Sequence, residues 1–531
     1  MPSSPDQLPD DVNALKVLLA QQMTRNAQLE AQKQASDQEN MRLGAKVLSL
    51  QEQLNLALAR RYAASSEKLS PDQIYLFDEA EADALADLIE KDGQDEEVEV
   101  PAHTRKKRGR KPLPETLPRI EVIHDLPEDQ RHCPHDGQLL TEINQVVSEQ
   151  LDIIPAQIRV IRHVRKQYAC SCGQCIQTAP LPGQPIPKSM ASPGLLAHIA
   201  VSKYQDALPL HRQEQILQRI GVDIPRATLA NWMIRCGQLV QPLINLLRDC
   251  MLAYDIIQMD ETTVQVLKEP GKSAQSKSYL WLQRGGPPDE PVTLFDYDPT
   301  RNQTVPRQLL EGFAGYLQTD GYSGYNAVVA AGDLKQLGCM AHARRNFSDA
   351  VKGQGKSKRV GKAQQGLAWI QKLYRIEKVA RTKGMPPEER KLYRQQHAAP
   401  ILEKMSTWLD ASLPNVPPGI LTGKALNYLN NEWPKLVRYL EDGRLEIDNN
   451  LAENAIRPFV IGRKNWLFSD SVKGVKASAN LYSLVETAKA NGLEPYQYLR
   501  EVFTRLPQAD TVEDIESLLP WSLKKTSAET S

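Results

Sequence analysis

Apolar residues recur at heptad spacing in the N-terminal part of the chain. Leucine stands at positions 8, 15, 29, 43 and 50, and the second seam position, which begins at Val12, carries Asn26 and Asn40. This pattern predicts a coiled coil over residues 8–60 that joins two copies of the chain, and asparagine in the seam favours two parallel helices. The alternative is a single amphipathic helix that lies on the body of the protein.

The apolar period changes between residues 210 and 237, where two short helices are separated by a glycine turn. Ile224 is expected to fill the corner between them, with Leu229 and Trp232 facing inward from the second helix. Residues 191–248 are therefore predicted to form a helix-turn-helix DNA-binding region, although other helical hairpins share this spacing. Four polar side chains of the second helix are chemically able to contact phosphates and base edges: Arg226, Thr228, Asn231 and Arg235.

Beyond residue 250 the pattern becomes typical of β-strands. Residues 254–266 form an apolar run that contains Asp260, and runs at 279–284 and 291–298 are expected to be its antiparallel neighbours. A fourth segment, residues 315–320, ends on an aspartate. Three strands in a meander, a fourth that ends in an acid and a later helix that carries an acid describe an RNase H-like arrangement.

A carboxylate inside an apolar strand is costly to bury unless it is paired or binds a metal ion, which makes Asp260 a candidate functional residue. In an RNase H-like arrangement, Asp320 lies beside it and Glu453 faces both from a helix. Three such carboxylates can hold two Mg²⁺ or Mn²⁺ ions for chemistry on phosphate. The alternative is that residues 448–468 form a capped surface helix in which Glu453 pairs with Arg457.

The segment between Asp320 and Glu453 is too long for a simple crossover. Residues 348–442 within it are basic and have the pattern of helices, which predicts a helical insertion that acts as a DNA clamp or as a spacer. The predicted fold class is therefore multidomain α+β. It combines an RNase H-like α/β catalytic domain at residues 250–470 with a helical C-terminal segment at residues 471–531.

Basic and sulfur-containing residues accompany these acids in the sequence. Five cations are candidates for holding the DNA phosphates next to the scissile bond: Arg344, Arg345, Arg457, Arg463 and Lys464. Cys339 and His342 have the spacing C-x-x-H, for which a structural role beside the site is expected rather than metal binding. Trp466 is expected to belong to the core rather than to stack on a base.

Charge is balanced overall, with 65 Lys and Arg against 65 Asp and Glu, but it is unevenly distributed. Residues 61–118 are predicted to be a linker that is first acidic and then basic. Its Arg-Gly-Arg-Lys-Pro core resembles a minor-groove binding segment, and non-specific phosphate binding is expected of it. The basic run contains six cations: Arg105, Lys106, Lys107, Arg108, Arg110 and Lys111.

Cysteine and histidine cluster within residues 119–190, in two short glycine-containing segments. This spacing predicts a structural zinc ribbon in a reducing compartment; reduced cysteines without metal are the alternative. The candidate Zn²⁺ ligands are Cys133, His135, Asp136, Cys170, Cys172 and Cys175, with His132 as a further choice beside Cys133. The acidic, proline-rich N-terminus is unlike a signal peptide, and no run of about 18 apolar residues is present, so we expect a soluble cytoplasmic protein without membrane contact.

Several motifs keep the order and spacing found in one protein family. They are SKYQDALPLHRQE, QMDET, TDGYSGYN, GCMAHARRNF, DNNLAENAIRPFVIGRKNWLF and SLVETAKANGLEPYQYL. Together with the zipper and the cysteine-rich module, they make the chain from about residue 119 to residue 506 resemble the transposases of the IS66 insertion sequences. The resemblance implies an RNase H-like fold with a helical insertion, and it implies that Asp260, Asp320 and Glu453 form the DDE triad.

The resemblance also implies a function. A protein of this family is expected to bind the terminal inverted repeats of its own element, pair them as an oligomer, and cleave and join DNA strands with Mg²⁺. It is expected in the bacterial cytoplasm, on the nucleoid when bound to DNA. Relatives are usually encoded beside two small accessory proteins, which are candidate partners. Asp136 stands where relatives carry a second cysteine, so the zinc ligand set stays open. The alternatives are a regulatory DNA-binding protein derived from a transposase, or a nuclease without strand transfer.

Overall fold

The computed structural model describes residues 11–62, 138, 158–169, 176–354 and 361–529. The chain divides into two compact units, one of Met1–Glu90 with Pro182–Ser531 and one of Lys91–Leu181. The predicted basic segment at residues 105–111 lies outside the described residues. So do His132 and all the other candidate zinc ligands, whose assignment stays a prediction: Cys133, His135, Asp136, Cys170, Cys172 and Cys175.

The described part of the chain is mixed α+β, which agrees with the predicted class. The strands are β1 Gln167–Ala169, β2 Ile176–Thr178, β3 Ile256–Lys268, β4 Lys277–Gly285, β5 Val292–Asp298, β6 Gly315–Gln318, β7 Leu334–Leu337 and β8 Ser469–Ser471. The helices are α1 Val12–Tyr62, α2 Pro193–Tyr204, α3 Leu210–Arg219, α4 Arg226–Leu239, α5 Gln241–Leu252, α6 Thr304–Leu309, α7 Asn326–Ala331, α8 Met340–Gln354, α9 Lys362–Thr382, α10 Pro387–His397, α11 Ala399–Ser412, α12 Leu421–Leu436, α13 Asn450–Trp466, α14 Val472–Ala490, α15 Pro495–Arg505, α16 Val512–Glu516 and α17 Pro520–Glu529.

Helix α1 is uninterrupted, as the heptad pattern predicts, and most of its apolar seam faces solvent in the single chain. Leu29 is 55% exposed and Leu43 is 47% exposed. The last turns differ, because Leu56 is buried and Glu52 accepts a hydrogen bond of 2.7 Å from the backbone N–H of Leu421. Glu52 therefore caps the N-terminus of α12, whose own N-cap residue makes no side-chain capping bond.

Two further bonds hold this end of α1. The Asn55 side chain donates to the carbonyl oxygen of Gly353, at the end of α8, over 3.0 Å. The Ser49 hydroxyl donates to the carbonyl oxygen of Gly419, also over 3.0 Å. The C-terminal turns of α1 thus lie on the body of the protein, as in the alternative interpretation of the heptads, whereas the seam before Ser49 stays exposed.

The central sheet has the strand order β5-β4-β3-β6-β7, and β8 pairs in parallel with the far end of β3. Strands β3, β4 and β5 form the predicted antiparallel meander, and β6 and β7 continue the sheet in parallel with β3. Gln258 is in register with Gln318, and its side-chain amide donates to the Gln318 amide oxygen over 2.8 Å. This buried amide pair fixes the register of β6 on β3.

The outer strand β5 is covered by α14. The Ser483 hydroxyl accepts from the backbone N–H of Phe295 over 2.8 Å, and the Thr487 hydroxyl accepts from that of Thr293 over 3.0 Å. These bonds satisfy backbone groups that an edge strand otherwise leaves unpaired. The ring of Tyr482 packs between α2 and α13, so a single hydrophobic core joins the sheet to these helices.

The predicted insertion is helical and has a hydrophobic core of its own, built by α8, α9, α11 and α12. Arg394 is fully buried at its centre and makes a two-bond ion pair with Glu377, over 2.7 and 2.8 Å. Arg394 also donates to the carbonyl oxygen of Tyr439. Because a buried ion pair is stable only when its remaining hydrogen-bonding groups are satisfied, this network fixes α9 and α10 against the end of the insertion.

Helices α3 and α4 form the predicted helical hairpin. Gly221 has a φ angle of +82° in the turn, a left-handed conformation that favours glycine. Ile224 is buried in the corner, and Leu229 and Trp232 face inward from α4, as the sequence predicts.

Candidate active site

Asp260 lies inside β3, beyond the point where this strand stops pairing with β6. It pairs across the sheet with Leu282 of β4, and its neighbour Met259 is fully buried. The side chain itself is half-buried, and its Oδ1 accepts a hydrogen bond of 2.8 Å from the backbone N–H of Glu261. The apolar strand therefore holds one carboxylate at a fixed position on the sheet.

Asp320 follows β6 by two residues. Because β6 is parallel to β3 and Gln318 is in register with Gln258, Asp320 occupies the position beside Asp260 on the neighbouring segment. Its Oδ1 accepts a hydrogen bond of 3.0 Å from the backbone N–H of Tyr322. Each of these two aspartates is thus oriented by a backbone donor that follows it in the chain.

Glu453 is in the first turn of α13. The side-chain amide of Asn449 donates to the carbonyl oxygen of Met259 over 2.9 Å, and the Asn449 backbone N–H donates to the sulfur of Cys339 over 3.2 Å. Asparagine is a common N-cap residue, but the Asn449 side chain makes no capping bond and instead bonds the strand. The start of α13 is therefore attached to the strand position next to Asp260.

The three acids share one electrostatic environment. Burial raises the pKa of Asp260 well above its ordinary value, and the charges of Glu261, Glu453 and Asp320 raise it further. Partly buried carboxylates that repel one another are stabilised by a compensating positive charge when all are ionised. The carboxylate oxygens of Asp260, Asp320 and Glu453 are ligands of the kind that a hard divalent cation such as Mg²⁺ or Mn²⁺ prefers.

Glu261 is a fourth acid beside this group, and its carboxylate is paired with a guanidinium and a hydroxyl of the same chain. Arg301 donates from Nε to Glu261 Oε1 over 2.7 Å, and its Nη2 donates to the same oxygen. The hydroxyl of Tyr325 donates to Glu261 Oε2 over 2.6 Å. Sequence reasoning misses this set, because Arg301 stands in the loop between β5 and α6 and no periodic pattern links it to Glu261.

A thiol, an imidazole and a guanidinium border Glu453. The sulfur of Cys339 lies 4.0 Å and Nδ1 of His342 lies 3.7 Å from Glu453 Oε1, and Nη2 of Arg345 lies 3.9 Å from Oε2. Burial raises the pKa of Cys339 well above its ordinary value, and burial, followed by the charge of Arg345, lowers the pKa of His342 to about 4. The ligand atoms of Cys339, His342 and Glu453 lie within 4.8 Å of one another. The structural role expected for Cys339 and His342 stays a prediction.

Comparison with known families shows the class of the protein. The family described as "Transposase IS66 family" matches residues 188–477, which is more than half of the chain. The chain belongs to this family of IS66 transposases. Three further family models match other parts of the chain. They are "Transposase C of IS166 homeodomain" at residues 49–122, "zinc-finger binding domain of transposase IS66" at residues 130–173 and "IS66 C-terminal element" at residues 483–521.

Relatives of this IS66 transposase occur in Sinorhizobium fredii (strain NBRC 101917 / NGR234). The chain is 33% identical over 427 residues to the uncharacterized protein y4jD, and the aligned region covers 78% of this chain and 81% of the relative. It is 32% identical over 542 residues to the uncharacterized protein y4qI, which covers 97% of this chain and 98% of the relative. The second match shows that the whole order of segments is shared.

Membership in the IS66 family implies a DDE transposase with an RNase H-like core, polynucleotidyl transferase activity and dependence on divalent metal ions. The zinc-finger match suggests zinc binding. The match at residues 49–122 is a leucine-zipper element, which hints at oligomerisation. In the part of the chain that the structure describes, no helix has the length and apolarity needed to cross a bilayer.

The cations predicted to hold phosphates near the three acids differ in their surroundings. Arg463 donates from Nη1 to the hydroxyls of two β3 threonines, over 3.2 and 2.9 Å, so its guanidinium helps to fix α13 on the sheet. The guanidinium of Arg344 lies over the ring of Tyr374, 5.4 Å from its centroid. Lys464 is exposed and Arg457 is half-buried. Phosphate contact by these residues and by Arg345 stays a prediction.

Trp466 packs as a core residue, as predicted. Its ring is half-buried and meets Phe459 edge to face, with the ring centroids 5.3 Å apart. The amine of Lys203 in α2 lies 5.4 Å from the centroid of the same ring. The indole is therefore used to pack the end of α13 against α2.

The predicted recognition helix α4 is attached to its partner helix at its first residue. Glu214 of α3 accepts a hydrogen bond of 2.9 Å from the backbone N–H of Arg226, so the first helix caps the second. Arg226, Asn231 and Arg235 are exposed, and Thr228 is half-buried. The side chains that the sequence predicts for DNA contact are thus presented on a helix with a fixed start.

Proposed function

We propose that this chain is an active transposase that binds the terminal inverted repeats of its own insertion sequence, cleaves the DNA there and joins the ends to target DNA. One observation carries the proposal: Asp260, Asp320 and Glu453 are distant in sequence but share one electrostatic environment. Family membership supports the class of reaction, and the electrostatic interaction of these three carboxylates supports the position of the site.

Asp260, Asp320 and Glu453 are the residues that would hold two Mg²⁺ or Mn²⁺ ions. When bound, such ions supply an activated attacking hydroxyl and stabilisation of the leaving oxygen. The chain's own residues keep the carboxylates in place. The backbone N–H groups of Glu261 and Tyr322 each engage one oxygen of an aspartate, and Asn449 holds the helix of Glu453 against β3.

Exposed cations support the proposal that the chain binds DNA. Helix α4 presents Arg226, Asn231 and Arg235 to solvent, which suits a helix that reads base edges. The basic segment at residues 105–111 is suited to phosphate contact without sequence preference. We propose that the helix-turn-helix and the zinc module at residues 119–190, the latter held by Zn²⁺, recognise the inverted repeats together.

Pairing of the two element ends requires more than one copy of the chain. The exposed seam of α1 supports a parallel pairing of two copies through residues before Ser49. The small accessory proteins of the same element are candidate further partners of this assembly.

The test uses a labelled duplex that carries the end of the element. Wild-type protein with Mg²⁺ or Mn²⁺ is compared with Glu453→Gln and with Glu501→Gln, which removes an exposed acid of α15 as a control. We expect metal-dependent cleavage and strand joining from the wild type and the control alone. Nicked DNA without joined strands would indicate a nuclease, and bound but intact DNA in every sample would indicate a regulatory protein.

A further inference from the structure

Arg301 is held in one orientation beside the carboxylate cluster. Two of its nitrogens, Nε and Nη2, donate to one oxygen of Glu261, and the Glu261 side chain is only 2% exposed. The face of the guanidinium lies on the ring of Tyr322, with 3.8 Å between the central carbon and the ring centroid. The hydroxyl of Tyr322 donates to the backbone carbonyl of Arg301 itself. One edge and one face of this cation are therefore fixed.

The remaining part of the guanidinium is accessible. The Arg301 side chain is 38% exposed, and Nη1 makes no hydrogen bond to any residue that the structure describes. Tyr322 connects Arg301 to the triad, because its backbone N–H is the donor to Asp320 Oδ1. Glu261, which also contacts Arg301, donates its backbone N–H to Asp260. A single residue therefore separates this rigid cation from each of two proposed metal ligands, Asp260 and Asp320.

The presence of Glu261 indicates why Arg301 is held in one orientation. A fourth buried acid beside three others is unfavourable, and its charge is among those that raise the pKa of Asp260. An apolar residue would avoid that repulsion. A glutamate at this position does two things that an apolar residue cannot: it accepts from the Tyr325 hydroxyl, and it orients the guanidinium by two charge-assisted hydrogen bonds.

We propose that Arg301 binds a non-bridging oxygen of the phosphodiester that lies at Asp260 and Asp320, and that Glu261 and Tyr322 are positioning residues for it. This inference rests on the proposed function, since the ligand is the DNA that the triad cleaves. Arginine suits the task because it stays charged and presents several donors in one plane to phosphate. A donor that is oriented before the substrate arrives stabilises the charge that develops on that phosphate.

A purely structural role of Arg301, which is to neutralise buried Glu261, makes a different prediction. If neutralisation were its only task, removal of both charges together would restore activity. The double variant Arg301→Ala/Glu261→Gln therefore separates the two roles, and it also avoids an unpaired buried carboxylate that could unfold Arg301→Ala. Arg307→Ala is the matched control, because Arg307 is an exposed arginine on the adjacent helix α6.

The experiment measures single-turnover cleavage of the element-end duplex in Mg²⁺, with end binding measured in Ca²⁺. We expect both Arg301→Ala and the double variant to cleave about 10²-fold more slowly than wild type, with end binding little changed, because one oriented donor contributes about this factor. Arg301→Lys is expected to recover part of the rate. A double variant that cleaves as fast as the wild type would overturn the inference. A wild type that does not cleave would overturn the proposed function and this inference with it, whereas an active wild type with unaffected Arg301 variants would overturn this inference alone.

Discussion

Asn449 and Met259 are joined by a hydrogen bond of 2.9 Å between a side-chain amide and a backbone carbonyl. Met259 immediately precedes Asp260, and Asn449 is the residue from which the helix of Glu453 begins. This bond therefore sets the separation of a strand carboxylate from a helix carboxylate. Asn449 is only 1% exposed, so water has little access to replace the bond.

Replacement of this asparagine tests how strictly the site depends on that separation. We expect Asn449→Ala to cleave DNA about 10²-fold more slowly, since a displacement of about 1 Å can have this effect on a positioned group. Stability should fall by about 1–2 kcal/mol, because a buried carbonyl loses its donor. The measurements are single-turnover cleavage and urea unfolding, with Asn454→Ala on the exposed side of the same helix as control. An unchanged cleavage rate would show that the helix is positioned by its other contacts.

The carboxylate cluster should destabilise the protein in the absence of metal. We expect Asp260→Asn to raise the stability of the metal-free protein by about 1 kcal/mol, a usual gain when a functional site is relieved of strain. The same variant should lose the thermal stabilisation that Mg²⁺ or Mn²⁺ gives to the wild type. Thermal unfolding with chelator and with added metal measures both effects. Asp470→Asn, at an exposed ion pair with Lys268, is the control.

The pH dependence of this gain follows from the raised pKa of Asp260. A carboxyl whose pKa is higher in the folded state than its unfolded value of about 3.9 makes folding less favourable as pH rises from that value through the folded pKa. Asparagine does not ionise, so the stability advantage of Asp260→Asn should be small near pH 4 and largest above the raised pKa. Chelator-treated samples compared across pH check this, and an advantage that shrinks as pH rises would contradict it.

The cap that α1 supplies to the insertion should be measurable by itself. We expect Glu52→Ala to lower stability by about 1 kcal/mol, which is typical for loss of an N-terminal helix cap. The exposed neighbour Gln53 provides the control Gln53→Ala. Hydrogen exchange should rise in the first turn of α12 in the Glu52 variant and not in the control. Equal protection of that turn in both variants would mean that Glu52 is not its cap.

Self-association should depend on the seam of α1 alone. Leu29→Gln together with Leu43→Gln should produce a monomer in light scattering without a change in the unfolding temperature of the body, because both leucines are exposed in the single chain. Val17→Gln, at an exposed position outside the seam, should keep the wild-type mass. A wild-type mass in the leucine double variant would contradict the coiled-coil prediction.

The parts of the fold that follow local rules could be predicted from the sequence. The strand around Asp260 is recognisable because its neighbours are apolar, and the parallel strand before Asp320 because it is short and ends at an acid. The turn at Gly221 and the buried Ile224 follow from helix-turn-helix spacing. In each case the chemical reason lies within a few residues of the feature.

The contacts that complete the site could not be predicted in this way. Arg301 reaches Glu261 and Asn449 reaches Met259 only because the sheet brings distant segments together. For Asn449 the local rule gives the wrong expectation. An asparagine before a helix is often its N-cap, but the Asn449 side chain donates to the buried carbonyl of Met259 on β3. Periodicity and spacing carry no information about such bonds.

The attachment of α1 through Ser49, Glu52 and Asn55 divides this helix into two parts. The root is the attached part from Ser49 onward, and the arm is the exposed part before Ser49. Under the proposed pairing, substitutions in the arm change which chains pair with each other, while those in the root also change the insertion. We therefore expect elements that share a genome to diverge in the arm and to retain the root. Two transposases with the same catalytic body could in this way avoid forming mixed assemblies, and each would mobilise only its own DNA.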